Sequence, residues 1–206
     1  FGYHFMYFTA LQNAPPEQAS LIAYLWPLLI VLFSGLLPGE RLRVGHVVGA
    51  VIAFAGAGLV VAGPGMRFDA AHVSGYLAAA SCALIWSGYS VLSRRFGGVP
   101  TEAVGLFCIG TAVLSLGAHL ALEITVWPAG PLAWGSTLAL GLGPVGLAFF
   151  LWDVGVKRGD IQMLGVASYA APLLSTILLI ATGFAAASLS LVLAAGLIAG
   201  GALVAA

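Results

Sequence analysis

Charge is what this sequence has least of. Seven Lys and Arg and seven Asp and Glu make up 7% of the 206 residues, where a soluble domain carries about 25%. The two signs cancel, and no basic patch points to a nucleic-acid partner. Cysteine is nearly absent too. Cys82 and Cys108 each stand inside an apolar run, in no disulfide framework or metal-ligand spacing, and read as small core residues. There is no His-x-x-x-His, no Gly-x-Ser-x-Gly, no phosphate-binding glycine loop and no pair of carboxylates within a run. The chain therefore reads as a non-enzyme, with no metal and no cofactor implied. No signal peptide is visible in the sequence, which opens mid-pattern at Phe1 without an initiator Met or a charged flank. The expectation is that this opening is the end of a helix whose start, with whole preceding spans, has been removed.

What the sequence does have is apolar length. Hydrophobic residues make up 61% and mean hydropathy is +1.08, which predicts an all-α, polytopic membrane protein. Apolar runs over residues 17–37, 44–61, 73–93, 102–122, 132–156, 160–182 and 189–204 give seven full spans, with a partial one ending near Gln12. A span needs roughly 20 such residues. The run from Ala19 to Ser34 carries Pro27 in its middle, just after Tyr24 and Trp26. Helix-interior proline removes a hydrogen bond and kinks the helix.

That run has a counterpart. Tyr169-Ala170-Ala171-Pro172-Leu173-Leu174 repeats the Tyr-x-x-Pro-Leu-Leu pattern of Tyr24 to Leu29, at an offset of 145 (172 − 27). The same offset pairs Phe5 with Phe150, Gly56 with Gly201 and Ala57 with Ala202. Internal symmetry with corresponding interrupted helices points to a secondary transporter. Gly45-x-x-x-Gly49 with Gly56, and Gly196-x-x-x-Gly200, have the spacing of close helix packing in lipid.

Basic residues orient the map. If the turn holding Arg41 and Arg43 is cytoplasmic, Arg94-Arg95 and Lys157-Arg158 fall on the same side, and only Arg67 falls opposite. Glu17, Glu40, Glu102 and Asp160 are read as helix-start acids that favour the macrodipole. Asp153 is the most embedded acid. It either pairs with Lys157 one turn on or serves as a proton or ion site.

The aromatics are the main positive signal. Tyr3 and Tyr7 share a helix face beside His4, and Trp86 and Tyr89 share another. His4 either donates to a backbone carbonyl or lines a cavity. Trp127 and Trp134 fit an interfacial belt, whereas Tyr24, Trp26 and Tyr169 sit too deep in their spans for one. A phenol or indole at that depth needs a polar partner, which a wet central cavity would supply.

The run from Leu21-Ile22 through Tyr24-Leu25-Trp26-Pro27-Leu28-Leu29-Ile30-Val31-Leu32, then Pro38-Gly39-Glu40-Arg41-Leu42, then a helix from Gly49 to Gly56, resembles the repeat of the drug/metabolite transporter superfamily of EamA-type domains. The Tyr-Leu-Trp-Pro core is most similar to the aromatic amino acid exporters within it, although Ala23 stands where a polar residue is expected. The resemblance implies ten helices in two inverted five-helix repeats with cytoplasmic termini. This chain would begin within the third helix. It would hold the first repeat over 1–62, a joining loop over 63–72 and the second repeat over 73–206. The implied protein is a monomeric, multi-pass inner-membrane exporter of aromatic and other neutral amino acids, working by alternating access. Tyr3, His4, Tyr7, Tyr24, Trp26, Trp86, Tyr89 and Tyr169 would line its substrate cavity, and Pro27 and Pro172 would be its hinges. Efflux of another metabolite or drug, and a non-transporting fragment held by glycine packing, are the alternatives. An intramembrane enzyme would need clustered Asp, His or Cys at one membrane face, which the sequence does not offer.

Overall fold

Proline sets the geometry of the first long span. Pro27 has no N–H, and its ring would clash with the carbonyl four residues back, at Ala23. In the computed structural model, which describes residues 1–62, 66–184, 186 and 188–206, the helix stops there. α2 is Pro16–Ala23, and α3 resumes at Trp26–Ser34 after a two-residue turn. The second Tyr-x-x-Pro span breaks in the same way: α9 (Ile161–Ala167) ends just before Ser168, four residues ahead of Pro172, and α10 (Ala170–Ala181) continues it. The sequence expects kinks at these two prolines; in the structure each is a two-residue turn between two α-helical halves of one span. Gly63, Pro64 and Gly65 of the expected joining loop lie outside the described residues.

The remaining helices are α1 (Gly2–Asn13), α4 (Val44–Val61), α5 (Val73–Arg95, after a 3₁₀ turn at Ala70–His72), α6 (Ala103–Leu122), α7 (Gly130–Leu142), α8 (Ala148–Arg158) and α11 (Leu189–Ala205). Counting each interrupted pair as one, six spans among the described residues are long and apolar enough to cross a membrane; α11, at 17 residues, is the shorter seventh. Large apolar side chains such as Leu36, Leu116 and Leu120 stand exposed, as lipid-facing residues should in a bilayer.

Two compact units divide the chain. One holds residues 2–95 and 160–206, so α1–α5 and α9–α11. Its larger core cluster joins Val31 of α3, Ala50, Ala53 and Ala57 of α4, Val166 of α9, Tyr169, Leu173 of α10, and Ile198 and Ala205 of α11. α4 and α11 run antiparallel and nearly touch at the backbone, with Gly45, Gly49 and Gly56 facing Val204, Gly201 and Ala194. On α11, therefore, Gly201 is the contact. Gly196 and Gly200 have open space where a side chain would go, which corrects the expected Gly-x-x-x-Gly face. A smaller cluster of alanines, Ala10, Ala14, Ala19, Ala78 and Ala79, seals α1 and α2 against α5.

The ends of this unit are polar. At one end Arg94 donates through Nε (3.1 Å) and Nη2 (2.7 Å) to Glu40 Oε1. Glu40 is thus an ion-pair partner in the turn before α4, not a helix-start acid. The pair brings the Arg41 and Arg43 turn to the Arg94-Arg95 end of α5, as the charge map expects. At the other end buried Gln18 accepts from the Tyr76 hydroxyl and donates to the Arg67 carbonyl at 2.8 Å. This places Arg67 opposite the other arginines of the unit.

The second unit is residues 96–159 with Phe1. Between α7 and α8 a π-helical turn at Gly143–Leu147 takes up Pro144, a usual way to absorb a mid-helix proline. Asp153 is buried and accepts from Lys157 Nζ at 2.7 Å and Thr101 Oγ1 at 2.8 Å, and Lys157 also donates to the Val99 carbonyl. The pairing alternative expected for Asp153 is the one observed. His119 pairs with Glu123 at 2.7 Å, and Trp127 packs on Trp134 with ring centroids 6.0 Å apart. Cys82, in the first unit, is buried as expected; Cys108, in this one, is only partly so.

Candidate functional site

Trp86 is the centre of the aromatic group. It lies mid-way along α5, where one face of the helix carries Cys82, Trp86 and Tyr89 at helical spacing. Its ring sits 5.5 Å from Tyr3, 5.5 Å from Tyr89 and, edge-on at 88°, 6.3 Å from Trp26. Tyr3 in turn stacks on Tyr7 at 6.2 Å and meets the edge of His4 at 5.3 Å. These separations and tilts are those aromatic pairs favour. Three elements supply the group: α1 gives Tyr3, His4 and Tyr7, the first residue of α3 gives Trp26, and α5 gives Trp86 and Tyr89.

All six side chains are half-buried. The rings are packed enough to be held yet still offer surface. Trp26 is there because the helix breaks there: the interruption forced by Pro27 puts an indole at the start of a half-helix. The Tyr7 hydroxyl lies 3.4 Å from Ser20 Oγ on α2. Ser20 is a polar contact that sequence reasoning does not reach; only its place four residues before Tyr24 flags it.

The other two expected cavity residues part company: Tyr24 borders the group, close enough to Tyr3 and Tyr7 to interact with both, whereas Tyr169 does not join it. Tyr24 occupies the turn between α2 and α3 and packs against the larger core cluster. Tyr169 is inside that cluster with no exposed surface. Its hydroxyl accepts the Leu28 N–H at 3.1 Å, and Phe54 covers its ring at 5.9 Å. Pro27 and Pro172 are both buried, each at its break. One further buried polar group has no signal in the sequence: Gln162, near the start of α9, whose Nε2 has no partner among the described residues.

An all-helical chain with six membrane-length spans, two of them broken just ahead of a proline in Tyr-x-x-Pro, and with half-buried aromatics gathered beside one break, has the build of a polytopic membrane transporter. Comparison with known proteins agrees. The EamA-like transporter family matches residues 1–62 and 73–206, and the chain belongs to that family. It is 58% identical, along its whole length and 72% of the relative's, to an aromatic amino acid exporter YddG of Ancylobacter novellus. It is 27% identical over 172 residues to the Escherichia coli K12 aromatic amino acid exporter YddG, covering 57% of that protein. A solved crystal structure at 58% identity superposes with a TM-score of 0.96 over 99% of this chain and 71% of the other. Family membership and the membrane-length spans make this a multi-pass inner-membrane protein.

Proposed function

We propose that this protein exports amino acids, aromatic and other neutral ones, across the inner membrane, by alternating access along a path lined by the Trp86 group. The observation that carries the reading is the convergence of Tyr3, His4, Tyr7, Trp26, Trp86 and Tyr89 on one half-buried patch at a broken helix. Ring faces receive an apolar or aromatic side chain and attract an ammonium group by cation–π contact, worth about 0.5–2 kcal/mol according to how dry the site is. Hydroxyl and imidazole edges supply hydrogen bonds at the rim. The names of the relatives support the substrate class.

The chain has two repeats in this reading, 1–62 and 73–206, joined through 63–72, with opposite orientations in the membrane. The α4–α11 contact supports that. Gly49 faces Gly201, and Gly56 faces Ala194. Adding 145 to 49 gives 194 and to 56 gives 201, so the repeat offset exchanges the two contacts, as a two-fold axis between antiparallel helices would. Pro27 and Pro172 are the bending points of the two repeats. In this reading the protein acts as a transporter, as its relatives do, rather than as an enzyme. The partners are the lipid bilayer and the small-molecule substrate, with the monomer as the working unit.

Radiolabelled phenylalanine, threonine and lysine uptake into proteoliposomes tests this. Saturable phenylalanine uptake that unlabelled neutral amino acids compete, and that lysine does not, is expected. Absence of any amino acid uptake by the natural full-length protein would move the proposal to another metabolite or drug.

A further inference from the structure

The Leu28 N–H is an orphan of the break at Pro27. In an unbroken helix it would donate to the carbonyl of residue 24, but Tyr24 lies in the non-helical turn between α2 and α3. Its acceptor is instead the Tyr169 hydroxyl, at 3.1 Å, from the corresponding break between α9 and α10. Tyr169 has no solvent exposure, and the Phe54 ring holds it from the α4 side. One turn earlier, Gly165 lets α9 sit directly on the same place: a Cβ there would lie 3.1 Å from the Pro27 carbonyl oxygen and 3.1 Å from Val31 Cγ2. Two contacts, one polar and one steric, therefore fasten the second interrupted helix to the first at the proline itself.

We propose that Tyr169 is a positioning residue of transport, whose hydroxyl clasps the Pro27 break while α9 is seated on α3 and lets go when the two part between access states. This rests on the exporter reading for its transport consequence only. A hydrogen-bonded side chain with no exposed surface has nothing to offer a substrate, so Tyr169 sets populations rather than affinities. Tyr169→Phe keeps the ring and its packing and removes only the acceptor. A buried hydrogen bond of ordinary strength then shifts the seated-to-parted ratio by roughly three- to tenfold.

Val31 is fully buried and touches the Gly165 seat, so Val31→Cys reports the seating directly. The test uses the natural full-length chain in liposomes, with Cys82 and Cys108 replaced by alanine, and measures alkylation of the Val31→Cys thiol by N-ethylmaleimide. Adding Tyr169→Phe is expected to speed alkylation about three- to tenfold, and Gly165→Ala, which crowds the seat, to speed it too. In uptake assays Tyr169→Phe is expected to change turnover while the ratio of KM values for phenylalanine and threonine stays fixed. Unchanged alkylation in both variants, or a Tyr169→Phe variant that only loses thermal stability, would overturn the clasp. So would a shifted KM ratio, which would make Tyr169 a substrate contact. If no amino acid is transported at all, the exporter reading fails while the alkylation result still decides the clasp.

Discussion

Gly49 and Gly201 meet backbone to backbone where α4 crosses α11. A Cβ on Gly201 would fall 2.5 Å from the Gly49 carbonyl oxygen and 2.8 Å from the Ala53 nitrogen. No side chain fits there without moving a helix. Lipid gives helices no hydrophobic drive to associate, so close packing of this kind carries the association.

Gly201→Ala is therefore expected to destabilise the protein by about 1–3 kcal/mol, the usual cost of overpacking. Gly196→Ala and Gly200→Ala, which meet open space, should stay within about 0.5 kcal/mol of the parent. Thermal unfolding midpoints of the three purified variants in one detergent check this. A Gly200→Ala variant as damaged as Gly201→Ala would mean the helix face is assigned wrongly.

Trp86→Ala removes the ring that joins Tyr3, Trp26 and Tyr89. If this group binds substrate, uptake of phenylalanine should fall at least about tenfold, the equivalent of one lost ring contact of roughly 1.4 kcal/mol. Trp127→Ala disturbs the Trp127–Trp134 pair, away from the Trp86 group among the described residues, and should leave uptake near the parent value. Equal losses in the two variants would point to general instability rather than to a substrate path.

Span lengths are legible in the amino-acid sequence because hydropathy sets them, and the breaks follow from Pro27 and Pro172, because a missing N–H and a ring clash act locally. What the sequence does not carry is which face of a helix meets which partner. Gly196, Gly200 and Gly201 are equivalent on composition, and only the rotation of α11 against α4 picks out Gly201. Tyr24 and Tyr169 stand at matching places in matching motifs. Yet Tyr169 is buried on the Leu28 N–H, because that bond joins residues 141 apart in the chain. Glu40 likewise reads as a helix-start acid until the fold brings Arg94 to it.

Asp153 and Lys157 form a pair that is nearly fully buried, with side-chain exposures of 3% and 9%. Burying an ion pair is close to neutral, but leaving one partner alone costs about 3–5 kcal/mol. Lys157→Met should therefore strand the Asp153 carboxylate and lower the unfolding midpoint by several degrees. Asp153→Leu with Lys157→Met should recover most of that loss. A double variant as unstable as the single would show that the bonds to Thr101 and Val99, rather than the pairing, hold this corner.

Two buried glutamines near the starts of the two interrupted spans test the hydrogen-bond accounting directly. Gln18 uses both ends of its amide, accepting from Tyr76 and donating to the Arg67 carbonyl, while Gln162, equally buried, leaves its Nε2 without a partner among the described residues. Replacing both amides by leucine should therefore have opposite results. Gln18→Leu removes the acceptor of the Tyr76 hydroxyl, which still accepts from the Asp69 N–H, and the donor to the Arg67 carbonyl, and should cost about 1–3 kcal/mol. Gln162→Leu removes a desolvated donor that gains nothing in this arrangement, and should leave the unfolding midpoint unchanged or raise it by a degree or more. A marked fall in the midpoint of Gln162→Leu would mean that an ordered water or another group satisfies that amide in the membrane. The contrast would then lie in hydration rather than in a strained donor.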